Sequence, residues 1–257
     1  MMTAHRKWRL EVTEPRSVSC LGGLIAIEGL IRKFDLWTRL KFERLSERSF
    51  QATTGKSGET VITQLVYSFC AGGVTLEDAE AIGRDVLLKY IAGAASFARK
   101  STLQDWLSHQ DQARVEGLCR LNTRLIANVV KSCCAARRQE LERSLLRRAS
   151  SHSVKNSIEI FPQKNPHDGD KLGLHGSQCL SAIADIAYNL LAALKLLYLP
   201  DTCLQLSPPS LRQRVIFLPA EMLYHARTVR VRVHVPRDWQ GWWQRLAEPL
   251  GLQVESS

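Results

Sequence analysis

From Glu59 the chain reads Glu59-Thr60-Val61-Ile62-Thr63-Gln64-Leu65-Val66-Tyr67-Ser68-Phe69-Cys70-Ala71-Gly72-Gly73-Val74-Thr75-Leu76-Glu77-Asp78-Ala79-Glu80. Val61, Ile62, Leu65, Val66 and Phe69 recur at the three- and four-residue steps that gather side chains on one face of an α-helix, so Glu59 to Cys70 is expected to be helical. Gly72 and Gly73 stop it, because glycine closes a helix in the left-handed conformation without a Cβ penalty. Thr75 with Asp78 three residues on has the form of a capping box, Asp replacing the usual Glu or Gln, and opens the next helix through Ile82, Val86, Leu87 and Tyr90.

The same punctuation extends in both directions. Gly22 to Arg39 places Leu24, Ile27, Leu30, Ile31 and Phe34 at helical spacing. Ser101 with Gln104 opens a short helix carrying Leu103, Trp106 and Leu107, and Ala113 to Lys131 forms a longer one with Val115, Leu118, Leu121, Leu125 and Val129. These segments predict a five-helix bundle with short turns. A polar stretch from Arg137 to Ser153 follows, and Asn156 to Gly176 is loop-rich, with Pro162, Pro166, Gly169, Gly173 and Gly176. Order returns in a long helix from Gln178 to Leu199 and a second from Ser210 to Ala226, interrupted by Pro219. Val229-Arg230-Val231-Arg232-Val233-His234-Val235 alternates strictly, which predicts a strand with valines inward and Arg230, Arg232 and His234 outward. The fold class is mainly α with a minor β component, and no internal repeat is visible.

The chain has 257 residues, 45% of them apolar, which suffices for a core and argues against disorder. Its net charge of +10 favours a polyanionic partner, nucleic acid first, because cations that neutralise phosphates release condensed counterions. Seven cysteines form no CxxC pair, and no His stands at zinc-finger spacing, so reduced thiols in a cytoplasmic setting are expected. Met1 to Trp8 is basic without a continuous apolar run after it, so no secretory signal is expected. Leu180 to Leu199 is apolar enough to suggest a membrane span, but Asp185, Asn189 and Lys195 interrupt it. A charge at mid-bilayer costs about 2.5 to 3.5 kcal/mol, so a buried core helix is the better reading.

Several motifs invite chemistry. Thr53-Thr54-Gly55-Lys56-Ser57 shares the end of a phosphate-binding loop, but Phe50 stands where that pattern needs Gly, and a polar turn explains it more simply. Asp168-Gly169-Asp170 offers two carboxylates to a hard cation, yet the calcium-loop spacing fails beyond it. The cations have more content. Nine Lys or Arg against three Glu lie between Arg114 and Ala149, including Arg124, Lys131, Arg137, Arg138, Arg143, Arg147 and Arg148. On a helix they would track a phosphate backbone, the plain alternative being a solvated face. Arg227, Arg230 and Arg232 form a second basic stripe. Trp239, Trp242 and Trp243 follow it at spacing that suits either base stacking or, more usually, a buried helix face. The short helix at Ser101 and the long one after it also have the layout of a helix-turn-helix, a spacing common to any helical bundle.

Two blocks together carry a resemblance. Gly22-Gly23-Leu24, Gly72 to Glu80 and Ser101-Thr102-Leu103-Gln104-Asp105-Trp106-Leu107 resemble the helical N-terminal domain of DDE transposases from bacterial insertion sequences. Ala187-Tyr188-Asn189-Leu190-Leu191, Leu197-Tyr198-Leu199-Pro200, Leu218-Pro219-Ala220 and Tyr224-His225-Ala226-Arg227 look like the tail that follows the last catalytic residue in the same family. The resemblance covers about residues 20 to 131 and 154 to 245. It implies an RNase H-like ancestor in which two Asp and one Glu bind two divalent metals for in-line displacement at phosphorus.

The departures from that pattern are as informative. No Asp stands between the long helix ending near Lys131 and Asp168, and residues 132 to 153 cannot hold the strands that would carry the two Asp. In Lys155-Asn156-Ser157-Ile158-Glu159, Lys155 occupies the place of the family Glu, putting a cation where a metal needs an oxygen. The resemblance therefore implies DNA affinity without catalysis: a helical DNA-binding or dimerisation domain over 1–150, a junction left by a missing core over 151–177, and a tail of helices and a strand over 178–257. No catalytic or metal residue and no cofactor is expected, magnesium being the ion of intact relatives. The implied partners are the DNA of element ends and a second subunit, of this chain or of an intact transposase, with no membrane. The rival readings are an active transposase with displaced carboxylates and a helical interaction module that never touches DNA.

Overall fold

The computed structural model describes residues 18–42, 57–133, 172–225 and 228–250. Within them the protein is mainly helical with one small antiparallel sheet. Strand β1 (Val18–Ser19) leads into α1 (Leu24–Lys33), α2 (Leu36–Phe42), α3 (Gly58–Ala71), α4 (Leu76–Ile82), α5 (Val86–Ile91), α6 (Lys100–Ser108) and α7 (Gln112–Ser132). After the stretch not described come α8 (Gly173–Tyr198), a short 3-10 turn at Asp201–Cys203, α9 (Pro208–Leu211) running into a π turn at Arg212–Ile216, then β2 (Ala220–His225), β3 (Thr228–Val233) and α10 (Arg237–Ala247).

The glycine stop and the capped restart are both present. Ser57 caps α3 by accepting from the Thr60 N–H, and Gly72 closes it at φ 93°. Thr75 and Asp78 form the reciprocal capping box of α4. That box accounts for the acidity of Asp78: partial burial acts to raise its pKa, but the N–H groups of Val74 and Thr75 and the Thr75 hydroxyl bind the carboxylate and hold it below the usual range.

α8 is the central element. It packs against α7, α3, α1 and α6, and its Ile183, Ile186, Leu190, Leu194 and Leu196 join the same core as Leu24, Ile27 and Leu30 of α1 and Leu118, Leu121 and Leu125 of α7. The two parts of the chain on either side of 134–171 thus share one hydrophobic core. Burial of each such leucine or isoleucine contributes about 1.5 to 3 kcal/mol, before the conformational entropy that folding costs. Among the described residues α8 is the one helix long and apolar enough to cross a membrane, and 61% of its most apolar window is covered by the rest of the protein.

Three expectations need correction. The helix expected from Gly22 to Arg39 breaks at Asp35, which takes the left-handed conformation at φ 53° and turns Leu36 into the core. The helix expected from Thr75 to Tyr90 is two helices, because Gly83-Arg84-Asp85 turns the chain and Asp85 caps α5 through the Leu88 N–H. The helix expected from Ser210 to Ala226 ends at Ile216, and Ala220–His225 is a strand instead. Pro219 cannot continue the helical hydrogen bonding, and the segment beyond it pairs with β3 in the register Ala220↔Val233, Met222↔Val231 and Tyr224↔Val229. Among the described residues, the five helices expected from residue 22 to 131 are accordingly seven, and the expected lone strand is the last of three.

Candidate nucleic-acid interface

α7 supplies the first basic face. Asp111 caps it by accepting from the Arg114 N–H at 2.9 Å, and Val115, Leu118, Leu121, Leu125 and Val129 bury one side. Arg120, Arg124, Ala127 and Lys131 stand four, three and four residues apart, so at 100° per residue they share the opposite side. Between Arg120 and Lys131 the axial span is about 16 Å at roughly 1.5 Å per residue. Glu116 approaches Arg120 at 3.9 Å, and beyond it α7 carries no acidic residue. The hydroxyls of Thr123 and Ser132 donate back to the carbonyls of Cys119 and Asn128, so small groups flank the cations. Arg124 and Lys131, both singled out in the sequence, therefore lie on one stripe. Arg120 belongs with them, and its spacing was the signal.

The second basic surface is the outer face of the sheet. β3 alternates as its sequence requires: Val229, Val231 and Val233 pack toward the core, while Arg230 and Arg232 are exposed. Arg232 stands opposite Glu221 and Arg230 opposite Leu223 on β2. His234 lies 3.4 Å from the Glu221 carboxylate. Arg227 lies outside the described residues, as do Arg137, Arg138, Arg143, Arg147, Arg148 and Lys155, so the sites assigned to them gain no geometry. Thr53 to Lys56 and Asp168 to Asp170 also lie outside.

The tryptophans do not form a nucleic-acid platform. Trp242 and Trp243 are buried at 6% and 8% exposure, stacked on each other with ring centroids 5.5 Å apart, and α10 presents them to the core. Trp239 packs against Trp242 at 5.0 Å and carries the Arg214 guanidinium over its face at 5.6 Å. The buried-face alternative is the one realised. α6 and α7, the helix pair of the helix-turn-helix reading, are both present with a turn at residues 109–111, and α7 spends its apolar side on α8.

Behind these surfaces, other polar side chains fix the frame. Arg212 donates to the carbonyls of Cys70 at 3.1 Å and Phe69 at 3.2 Å, the open C-terminal end of α3, where a cation also meets the negative pole of the helix. Glu28, buried, accepts from the Tyr67 hydroxyl at 2.6 Å and pairs with Arg32 at 2.8 Å. Gln64, with no exposed surface, donates to the carbonyls of Ala79 and Ala98 and accepts from the Ala98 N–H. Each of these buried groups has its hydrogen-bond partners within the frame. Among the described residues no group of three or more His, Cys, Asp or Glu could hold a metal ion.

No family model, curated protein or solved structure matches the chain.

Proposed function

We propose that this chain is a transposase-derived DNA-binding protein of an insertion sequence, a relative of the DDE transposases that holds DNA without cutting it. The observation that carries the DNA half of this reading is the stripe of Arg120, Arg124 and Lys131 on the outward face of α7, uninterrupted by any acid C-terminal to Glu116. Such a face gains affinity from counterion release and reads little sequence. The exposed Arg230 and Arg232 and the net charge of +10 support the same partner. The ancestry rests on the ordered succession of Gly22-Gly23-Leu24, Gly72 to Glu80, Ala187 to Leu191 and Tyr224 to Arg227 in the sequence. On that reading the helices and hairpin are what remains around a deleted RNase H-like core, and the cytoplasm is where the protein meets DNA. Without two Asp, and with Lys155 at the place of the family Glu, the reaction at phosphorus is lost.

The test is a mobility shift of duplex DNA at two salt concentrations, run beside cleavage of a labelled element end in magnesium or manganese. Binding that falls steeply with salt and no cleavage is expected. Salt-independent binding, or none, would favour a helical interaction module, and cleavage would make the protein an active transposase. Lys155→Glu is expected to leave cleavage absent, since it returns one ligand of three.

A further inference from the structure

We infer that the cavity between the end of α8 and the last turn of α10 binds a small molecule with an apolar body and one carboxylate. The site is separate from the α7 stripe and does not depend on the DNA-binding reading.

The cavity forms where helices stop. α8 ends at Tyr198, Leu199 turns to extended backbone, and Pro200 cannot continue the helical hydrogen bonding. α10 ends at Ala247 and runs into a 3-10 turn at Glu248–Leu250, whose Leu250 is buried against Gly29 of α1. The space left has a volume of about 450 Å³, opens to solvent, and is lined by Leu197, Tyr198, Leu199, Pro200, Arg245 and Pro249. Small-molecule pockets measure about 300 to 1,000 Å³, with mostly apolar walls and a few polar groups that fix the ligand's orientation. The two leucines and two prolines supply those walls.

Two donors at the cavity lack acceptors. Arg245 is exposed and makes no ion pair or hydrogen bond among the described residues. The Tyr198 hydroxyl is buried and has no hydrogen-bond partner. The Lys33 ammonium stands over the Tyr198 ring, 5.2 Å from its centroid, but no bond anchors the hydroxyl, so the ring can turn to meet a ligand oxygen. A guanidinium and a phenol that both need an acceptor suit a carboxylate, which offers two oxygens and a charge. The C-terminal ends of α8 and α1 each bring about half a negative charge, which would draw a cation. Arg245 and Lys33 carry a full positive charge each and outweigh them. Asp201 and Glu248, the carboxylates next to lining residues in sequence, do not line the cavity.

The test uses naphthoate, its neutral amide and the naphthylmethylammonium cation, which share one ring system and differ in charge. Calorimetry on the full chain is expected to show one naphthoate per chain, bound about tenfold tighter than the amide, with the cation weakest. Arg245→Gln, a change at an exposed residue, should bring naphthoate to the affinity of the amide and leave the amide within about twofold of its parent value. Tyr198→Phe should weaken naphthoate about fivefold. The inference is overturned by equal binding of acid and amide, by no naphthoate binding at millimolar concentration, or by either variant holding naphthoate as the parent does. In the unaltered protein, nuclear Overhauser contacts from the naphthyl protons to the Leu197 and Leu199 methyls are expected, and contacts confined to other residues would overturn the site.

Discussion

A Cβ added to Gly23 would stand 1.6 Å from the Val215 carbonyl oxygen, and one on Gly22 would stand 2.8 Å from both Ala220 and the Leu218 carbonyl. The N–H groups of these two glycines donate to Leu218 and Ile216, so the entry to α1 is docked directly onto the backbone before β2. Gly23→Ala must push that backbone away and is expected to cost about 3 kcal/mol, the upper end of overpacking, measured as a lowered urea midpoint. The sequence displayed this glycine pair but not its reason, because the backbone it meets lies far along the chain.

Tyr67 and Cys70 predict the response to alkali. Burial, then the Glu28 charge, pushes the Tyr67 pKa well above 10, and burial pushes Cys70 up to about 12. Both pKa values are raised on folding. The unfolded chain therefore releases these protons from about pH 9 to 10 while the folded protein keeps them, and stability present below that range falls as pH rises toward 12. Urea midpoints between pH 9 and 11 should drop, and the drop should shrink in Tyr67→Phe. An unchanged slope would mean that the phenol is not held neutral by the fold.

At the scale of elements, what could be read depended on whether the signal was local. The α3 stripe, the Gly72 stop, the Thr75–Asp78 box and the β3 alternation are each contained within a few residues, and each is present. Thr75→Ala should therefore destabilise by about 1 kcal/mol, because it leaves the Asp78 N–H without its cap, and thermal melting would register it. β2 escaped because Ala220, Glu221, Met222 and Leu223 favour helix by intrinsic propensity, and only pairing with Thr228 to Val233 makes them a strand. The interface divided in the same way. The Arg124–Lys131 spacing marked one face of α7 directly, whereas the bond from the Tyr90 hydroxyl to the Val229 carbonyl, which ties α5 to β3, joins residues that no local pattern links.

For the whole molecule, the shared core of α1, α3, α7 and α8 gives the cations of α7 a rigid support, which the proposed DNA binding requires. If the protein occupies element ends, increasing amounts of the soluble chain should lower the transposition frequency of an intact relative in a dose-dependent way. A flat response would leave binding without interference. The most direct test of the central claim is the salt dependence of duplex binding in the protein and in an Arg120→Gln, Arg124→Gln, Lys131→Gln variant. Three phosphate contacts at about 0.9 each predict that the slope of log affinity against log salt becomes shallower by roughly 2.7 in the variant, with its helical content unchanged. An equal slope in the two proteins would contradict α7 as the surface that holds DNA.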